Sequence, residues 1–120
     1  MRWLYHVYVV AVSIDEPYVP VSLAQEGFVH CSFRDAVLAS ARLYFPRDAE
    51  LRVMQIDPRR LGCEVRVVDT PRGPMPHVHG AIPLGAVVRI WTVTELETAL
   101  AHQIDAAPDA LCDGPPDALG

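Results

Sequence analysis

The fold of this chain is organised around the stretch Ser22-Leu23-Ala24-Gln25-Glu26-Gly27-Phe28-Val29-His30-Cys31-Ser32. Gly27 permits a tight turn or a close backbone approach that a side chain would block. The apolar residues that follow it predict a buried strand over 28–32, and His30 and Ser32 point to the same face of that strand because they are two residues apart. A buried structural strand rarely carries both groups on one face. We therefore predict that His30 stands in a ligand cleft, and the alternative is a hydrogen-bonded histidine beside a loop.

The composition is that of one small globular domain. Its 120 residues are 51% hydrophobic and 21% charged, which is enough to build a core. Fifteen acidic and ten basic residues give a formal charge of −5, and the basic residues form no cluster. This balance argues against a nucleic-acid surface, and it leaves a small-molecule ligand, an anionic one included, as the predicted partner.

The cysteines and the N-terminal segment indicate where the protein works. Cys31, Cys63 and Cys112 show no CxxC spacing, which is typical of reduced thiols and predicts a cytoplasmic protein. The apolar run over 3–14 is interrupted by His6, lacks a cleavage site and is too short to span a bilayer. We therefore expect a core strand there and no membrane association.

Hydrophobic periodicity predicts an α+β fold with a largely antiparallel, twisted sheet. Apolar runs and alternation predict strands over 3–12, 28–32, 51–56, 63–68 and 86–93, and helical spacing predicts helices over 33–44 and 94–103 with a single helical turn at 58–61.

Capping residues, prolines and composition predict the connections. Ser32 with Asp35, and Thr94 with Glu97, are the expected capping pairs of the two helices. Three prolines and a glycine over 69–76 predict an irregular loop. We expect residues 1–104 to form a single domain and residues 105–120, rich in Ala, Asp, Pro and Gly, to form a flexible tail.

Four of the five histidines, His6, His30, His77 and His79, lie at strand ends or in turns beside glycine or small residues. They could hold a metal ion, with the pair at 77 and 79 on one strand face and a third histidine as a further ligand. They could also work as acid–base or hydrogen-bonding groups towards phosphate or ribose, with Arg66 as an anion partner. They could, finally, be structural. The number of histidines in so short a chain favours a site, and the lack of a nearby carboxylate leads us to expect no metal.

Several motifs stand out when they are taken together. Besides the opening stretch and Tyr5-His6 they are Asp57-Pro58-x-x-Leu61-x-x-Glu64-Val65-Arg66, Pro76-His77-x-x-Gly80 and Leu84-x-Ala86-Val87-Val88. In combination they resemble the domain-of-unknown-function family 952 (DUF952), a group of small bacterial proteins, over residues 3–93. That family is similar to the ADP-ribosyltransferase fold. The resemblance implies split antiparallel β-sheets with a few short helices, and NAD held in the cleft between the sheets.

The resemblance also implies a role for each candidate residue. His6, His30 and His77 would be catalytic: His6 holding the ribose or phosphate of NAD, His30 packing against the nicotinamide, and His77 in the place of a glutamate found in many transferases. The residues that bind NAD would be Tyr5, Ser22, Gly27, Ser32, Arg66 and His79.

The function implied is that of an enzyme that binds NAD or a related nucleotide and cleaves or transfers at the ribose, with chemistry like that of the RNA 2′-phosphotransferases. The alternatives are a non-catalytic nucleotide- or metabolite-binding module with a degenerate site, and a histidine metalloenzyme that acts on a small molecule.

Overall fold

The computed structural model describes residues 2–102. In chain order its elements are β1 (Leu4–Val9), α1 (Val21–Glu26), β2 (Val29–His30), α2 (Val37–Tyr44), β3 (Leu51–Ile56), a 3₁₀ turn (Pro58–Arg60), β4 (Val65–Thr70), β5 (Gly73–Val78), a second 3₁₀ turn (Leu84–Ala86), β6 (Val87–Thr92) and α3 (Val93–His102). The tail predicted over 105–120 lies outside the described residues, so the boundary at 104 stays a prediction.

Two antiparallel sheets of three strands make up the domain. Their strand orders are β1-β3-β6 and β2-β5-β4, which confirms the predicted α+β class with antiparallel sheets and a few short helices. The two sheets meet at their edges, where the main chains of Tyr5 and Ser32 form an isolated antiparallel bridge. Beyond that bridge β1 pairs with β3 and β2 pairs with β5, so each strand continues in its own sheet.

Alternation along the strands of the first sheet divides the core between its two faces. One cluster includes Leu4, Tyr8, Met54 and Ile56 and packs against Val29 and Val78 of the second sheet. The other includes Trp3, Tyr5, Val7 and Val53 and packs against Val37 of α2 and Leu96 of α3. Both faces of β1 are buried, as its continuous apolar sequence predicts.

The segment 69–76 is not the irregular loop that its prolines predict. It completes β4 and forms most of β5, and the turn between them ends at Gly73 with φ of +100°. The carbonyl of Pro76 faces β2, where it accepts a hydrogen bond from the Cys31 N–H at 3.2 Å. The Pro76 nitrogen, which carries no hydrogen, therefore faces the same side. Because β2 ends at His30, no ladder hydrogen bond is required from that nitrogen.

Both predicted capping pairs are wrong. The helix α2 begins at Val37 after Ala36, without a side-chain cap, because residues 33–36 first form a turn. The N-terminus of α3 is capped two residues earlier than predicted, because β6 runs directly into the helix. Its capping box pairs Thr92 with Glu95: the Thr92 N–H donates to Glu95 Oε1 at 2.9 Å, and the Glu95 N–H donates to Thr92 Oγ1 at 3.0 Å.

The residues before Gly27 form the short helix α1, which the sequence pattern does not predict. Gly27 ends this helix in the left-handed conformation, with φ of +86°, and its N–H donates to the Leu23 carbonyl at 3.0 Å. Its predicted role as a turn residue is confirmed. Within residues 2–102 no helix combines the length and the apolar character needed to cross a bilayer.

Candidate functional site

A cavity of about 660 Å³ is lined by residues of both sheets, from β1 in the first and from β2 and β5 in the second. Its lining includes His6, His30 and His77, so the structure brings the three predicted catalytic histidines to one cavity. Three of the predicted NAD-binding residues, Tyr5, Ser22 and Ser32, also line it; the other three, Gly27, Arg66 and His79, do not. The volume lies in the range of small-molecule sites.

His6 is buried, and both of its ring nitrogens have partners. Nδ1 lies 2.7 Å from the His30 carbonyl oxygen and Nε2 lies 2.8 Å from the Tyr18 hydroxyl. A carbonyl only accepts, so Nδ1 carries the proton and Nε2 accepts from the tyrosine. Burial lowers the pKa of His6 to about 4. The hydrogen bond to the His30 carbonyl acts in the opposite direction but is the smaller effect. His6 is therefore neutral at pH 7 and tethers β1 to β2 at the point where they separate.

Tyr18 reaches His6 from the loop between β1 and α1. The loop is held by two main-chain hydrogen bonds, from Tyr18 N–H to the Ile82 carbonyl at 2.8 Å and from Ile82 N–H to the Tyr18 carbonyl at 3.0 Å. Burial, with smaller contributions from Cys31 and Tyr8, raises the pKa of Tyr18 to about 12. The phenol therefore stays protonated, and its O–H donates a hydrogen bond to His6 Nε2.

His30 stands at the mouth of the cavity and pairs with Glu26, the last residue of α1. Their Nε2 and Oε2 atoms are 2.8 Å apart, and the two side chains are 55% and 48% exposed. A carboxylate accepts, so the neutral imidazole donates from Nε2 and leaves the lone pair of Nδ1 for a ligand. At this exposure the pair adds little to stability. Its effect is to orient the ring.

His77 lies beside His30 on the adjacent strand. The two residues are register partners, and their ring centroids are 5.7 Å apart. The Phe28 ring stacks on His77 at 4.0 Å with an interplanar angle of 14°, and it contacts His30 edge-on at 4.7 Å. Burial, followed by the charges of His30 and His79, lowers the pKa of His77, while Glu26 acts in the opposite direction. His77 is therefore a neutral hydrogen-bonding group at pH 7.

Arg66 and His79 lie beside the cavity rather than in its lining. Arg66 is the register partner of His77 on the other side of β5, but its Nε binds Glu64 Oε2 at 2.8 Å on the exposed surface. The His79 ring lies 5.7 Å from Phe28, and its main-chain N–H donates to the Glu64 carbonyl. Arg66 is predicted to bind an anionic ligand. In the structure its guanidinium binds the neighbouring carboxylate of Glu64.

The cysteines of the described chain are free thiols. Cys31 is buried in the cavity wall, and burial, with a smaller contribution from Cys63, raises its pKa, so it is a neutral thiol rather than a nucleophile. Cys63 packs against Gly80, where an added Cβ would come within 2.6 Å of the Cys63 Cβ. The close approach of these two segments requires a glycine at position 80.

The histidines do not form a metal-binding group. Among the residues that the structure describes, no group of three or more His, Cys, Asp or Glu side chains is placed to hold a metal ion. At the predicted His77-x-His79 pair, the ring of Phe28 contacts both imidazoles. Phe28 stacks on His77 and lies tilted beside His79.

The lining residues that were not predicted from the sequence include Tyr18, Tyr44 and Arg72. Arg72 lies in the segment 69–76, which was predicted to be an irregular loop, and such a loop does not predict where its side chains lie relative to the cavity. The available signal was the alternation of β4, which continues through Thr70, followed by Pro71-Arg72-Gly73 as a hairpin turn.

Two solved structures share this fold. Protein CC0527 from Caulobacter crescentus, a structural genomics target, superposes with a TM-score of 0.63 at 21% identity, over 75% of this chain and 84% of that chain. A double mutant of the same protein gives a TM-score of 0.63 at 18% identity with the same coverage. The search of curated proteins gave no match. The sequence profile described as "Protein of unknown function (DUF952)" matches residues 8–90. The chain therefore belongs to the DUF952 family.

Proposed function

We propose that the protein binds NAD or a related nucleotide in the cavity between its sheets and acts on the ribose. The observation that carries the proposal is that His6, His30 and His77 line one cavity of about 660 Å³, with Glu26 bonded to His30. Two small antiparallel sheets that both contribute residues to this cavity support the finer assignment to an ADP-ribosyltransferase-like fold. The fit to a nucleotide rests on a largely apolar lining, in which tyrosine rings offer flat faces and His30 and His77 offer hydrogen-bonding groups.

Each histidine would have a different task. Glu26 holds the Nε2–H of His30, so His30 Nδ1 is the free acceptor for a ribose hydroxyl. His77, held flat against Phe28, is a neutral partner beside it. His6, with both nitrogens engaged, supports the wall instead of giving up a proton.

NAD contains a nicotinamide–ribose bond whose cleavage develops positive charge on the ribose. The carboxylate of Glu26, acting through His30, would favour positive charge at this end of the cavity. In this scheme His30 and His77 orient the ligand, and Glu26 is a positioning residue.

A second candidate is a binding module without catalysis. Among the described residues that line the cavity there is no Asp or Glu. A site whose nearest carboxylate acts only through a half-exposed histidine is suited to recognition as well as to catalysis. This observation favours a nucleotide or metabolite sensor over the metalloenzyme alternative, which elemental analysis of untagged protein would test.

Calorimetric titration with NAD, followed by detection of released nicotinamide, separates these functions. We expect His30→Ala and His77→Ala to weaken NAD binding, and Glu26→Gln to reduce nicotinamide release more than binding. The matched control is Glu50→Gln, because Glu50 is another exposed glutamate in an ion pair, with Arg52, outside the cavity. Binding without release would support the sensor. No heat with NAD, ADP-ribose or AMP would show that the nucleotide proposal is wrong.

A further inference from the structure

The cavity has one cationic residue at its rim. Among the described residues that line it, Arg72 alone is an Arg or Lys. Arg72 lies in the turn between β4 and β5, and its guanidinium carbon is 4.7 Å from the centroid of the Tyr44 ring at the end of α2. A cation at this position is notable because the chain as a whole has a formal charge of −5.

The guanidinium of Arg72 keeps its hydrogen-bond donors open. Within residues 2–101 it has no carboxylate or carbonyl acceptor, and its side-chain contact is the Tyr44 ring. Six other arginines of the described chain each pair with a carboxylate instead: Arg2, Arg42, Arg52, Arg59, Arg60 and Arg66. Stacking on an aromatic face leaves the edge of the guanidinium plane free for a bidentate anion.

The turn that carries Arg72 is held in place by Thr70. The Thr70 hydroxyl donates to the Gly73 carbonyl at 2.7 Å and accepts from the Arg72 N–H at 3.2 Å. Because these hydrogen bonds hold the turn and the Tyr44 ring contacts the guanidinium, Arg72 is positioned before any ligand arrives.

The strand β5 fixes the distance between this end of the cavity and the histidines. Arg72 immediately precedes β5 and His77 is its fifth residue. At about 3.3 Å per residue the two Cα atoms are roughly 16 Å apart. A ligand that touches both must be elongated, with its anionic group remote from the imidazoles.

We propose that Arg72, supported by Tyr44, binds a phosphoryl group at one end of an elongated ligand whose other end lies at His30 and His77. This inference rests on the proposed nucleotide function and adds the residue that selects for the charged part of the ligand.

The test is an NMR titration of the arginine Nε–Hε resonances with pyrophosphate, and separately with NAD, in the wild type, Arg72→Gln and Arg89→Gln. Arg89 is the matched control, because its guanidinium stacks on Trp91 at 3.5 Å outside the cavity lining. We expect both probes to shift the Arg72 resonance. Arg72→Gln should weaken NAD binding by about tenfold, as expected for losing one exposed charged hydrogen-bond partner, and Arg89→Gln should leave it unchanged.

An Arg72 resonance that neither probe moves, or equal NAD affinity in Arg72→Gln and wild type, would overturn the inference. If pyrophosphate shifts Arg72 while NAD does not bind the wild type, the anion site stands and the nucleotide function fails. If NAD binds with Arg72 unperturbed, the function stands and the anion site fails.

Discussion

The main chains of Tyr5 and Ser32 exchange two hydrogen bonds, of 2.8 and 2.7 Å, where the edges of the two sheets meet. After Ser32 the chain turns away into α2, and before it β2 has already paired with β5. The junction therefore ties the two sheets together at the wall of the cavity, which both Tyr5 and Ser32 line. Ser32 also reaches α2, because its hydroxyl oxygen lies 3.0 Å from that of Ser40 in the buried wall.

The buried hydroxyl pair at this junction can be measured with a double-mutant cycle. Ser32→Ala or Ser40→Ala alone leaves the other hydroxyl without its partner, so we expect each to lower the free energy of unfolding by about 1–2 kcal/mol. The double variant removes both groups and should cost less than the sum of the two, as urea unfolding would show. Strictly additive losses would mean that the two hydroxyls do not interact.

The fold could be predicted from sequence wherever local patterns decide it. The strand β3 (Leu51–Ile56) lies where alternation predicts it, and the 3₁₀ turn Pro58–Arg60 falls within the predicted helical turn. The strand β5 was not predicted because prolines normally interrupt a strand. They are tolerated here because β2 ends at His30, which depends on the tertiary structure. The helix α1 has six residues, too few to show a helical period.

The site was predictable by residue type but not by arrangement. Histidines at strand ends indicate a polar site, and three of them line the cavity. His6 Nε2 is engaged by Tyr18, which main-chain hydrogen bonds with the distant Ile82 hold beside it. Arg66 pairs with Glu64, only two residues before it, whereas Arg72 stacks on Tyr44 of α2, a contact between distant segments that local sequence patterns do not predict.

Asp57 supports the far end of β3, and Asp57→Asn should destabilise the protein strongly. Its carboxylate is fully buried and accepts from the Arg59 N–H at 2.9 Å and from Arg59 Nε at 3.0 Å. Burial alone would raise the pKa of Asp57, but the hydrogen bonds from Arg59 and the charges of Arg59 and Arg60 lower it below the ordinary 3.8. We expect a loss of about 3 kcal/mol in urea unfolding at pH 7, because a buried charge pair is broken.

The pH dependence of the same variant gives an independent check. A carboxyl whose pKa is lowered on folding stabilises the protein above its unfolded pKa, and that stability is lost as the pH falls through the folded value. The wild type should lose this contribution below pH 3.8, whereas Asp57→Asn has none to lose. Glu50→Gln, at an exposed ion pair, should stay within about 0.5 kcal/mol of the wild type, and an equal loss there would refute a special role for burial.

His6 should make the stability of the protein fall on mild acidification. Its pKa is 6.5 when unfolded and about 4 when folded, so the unfolded state binds more protons between these values. Stability therefore rises with pH across this window, and the full difference corresponds to about 3 kcal/mol. Urea unfolding of the wild type from pH 7 to pH 4 should show the fall.

The variant His6→Phe keeps a ring but leaves the His30 carbonyl and the Tyr18 hydroxyl without their partner. It should be less stable than the wild type at pH 7 and should show a shallower slope between pH 6.5 and 4. His77 acts in the same direction, because its pKa is also lowered, so His77→Ala measures that share separately. An unchanged slope in His6→Phe would exclude His6 as the source.

The environment of His77 can be tested with two substitutions that act in opposite directions. The Phe28 ring, stacked at 4.0 Å, contributes to the burial that lowers the pKa of His77, whereas the negative charge of Glu26 raises it. Phe28→Ala should therefore raise the pKa of His77 towards 6.5, and Glu26→Gln should lower it further. An NMR titration of the imidazole Cε1–H signals measures both, with Glu50→Gln as the variant that should leave the pKa unchanged.

Because nucleotide binding in the proposed site uses neutral His77, Phe28→Ala should also shift the loss of NAD affinity on acidification to higher pH. Shifts of the same sign in Phe28→Ala and Glu26→Gln would show that this account of the histidine pair is wrong.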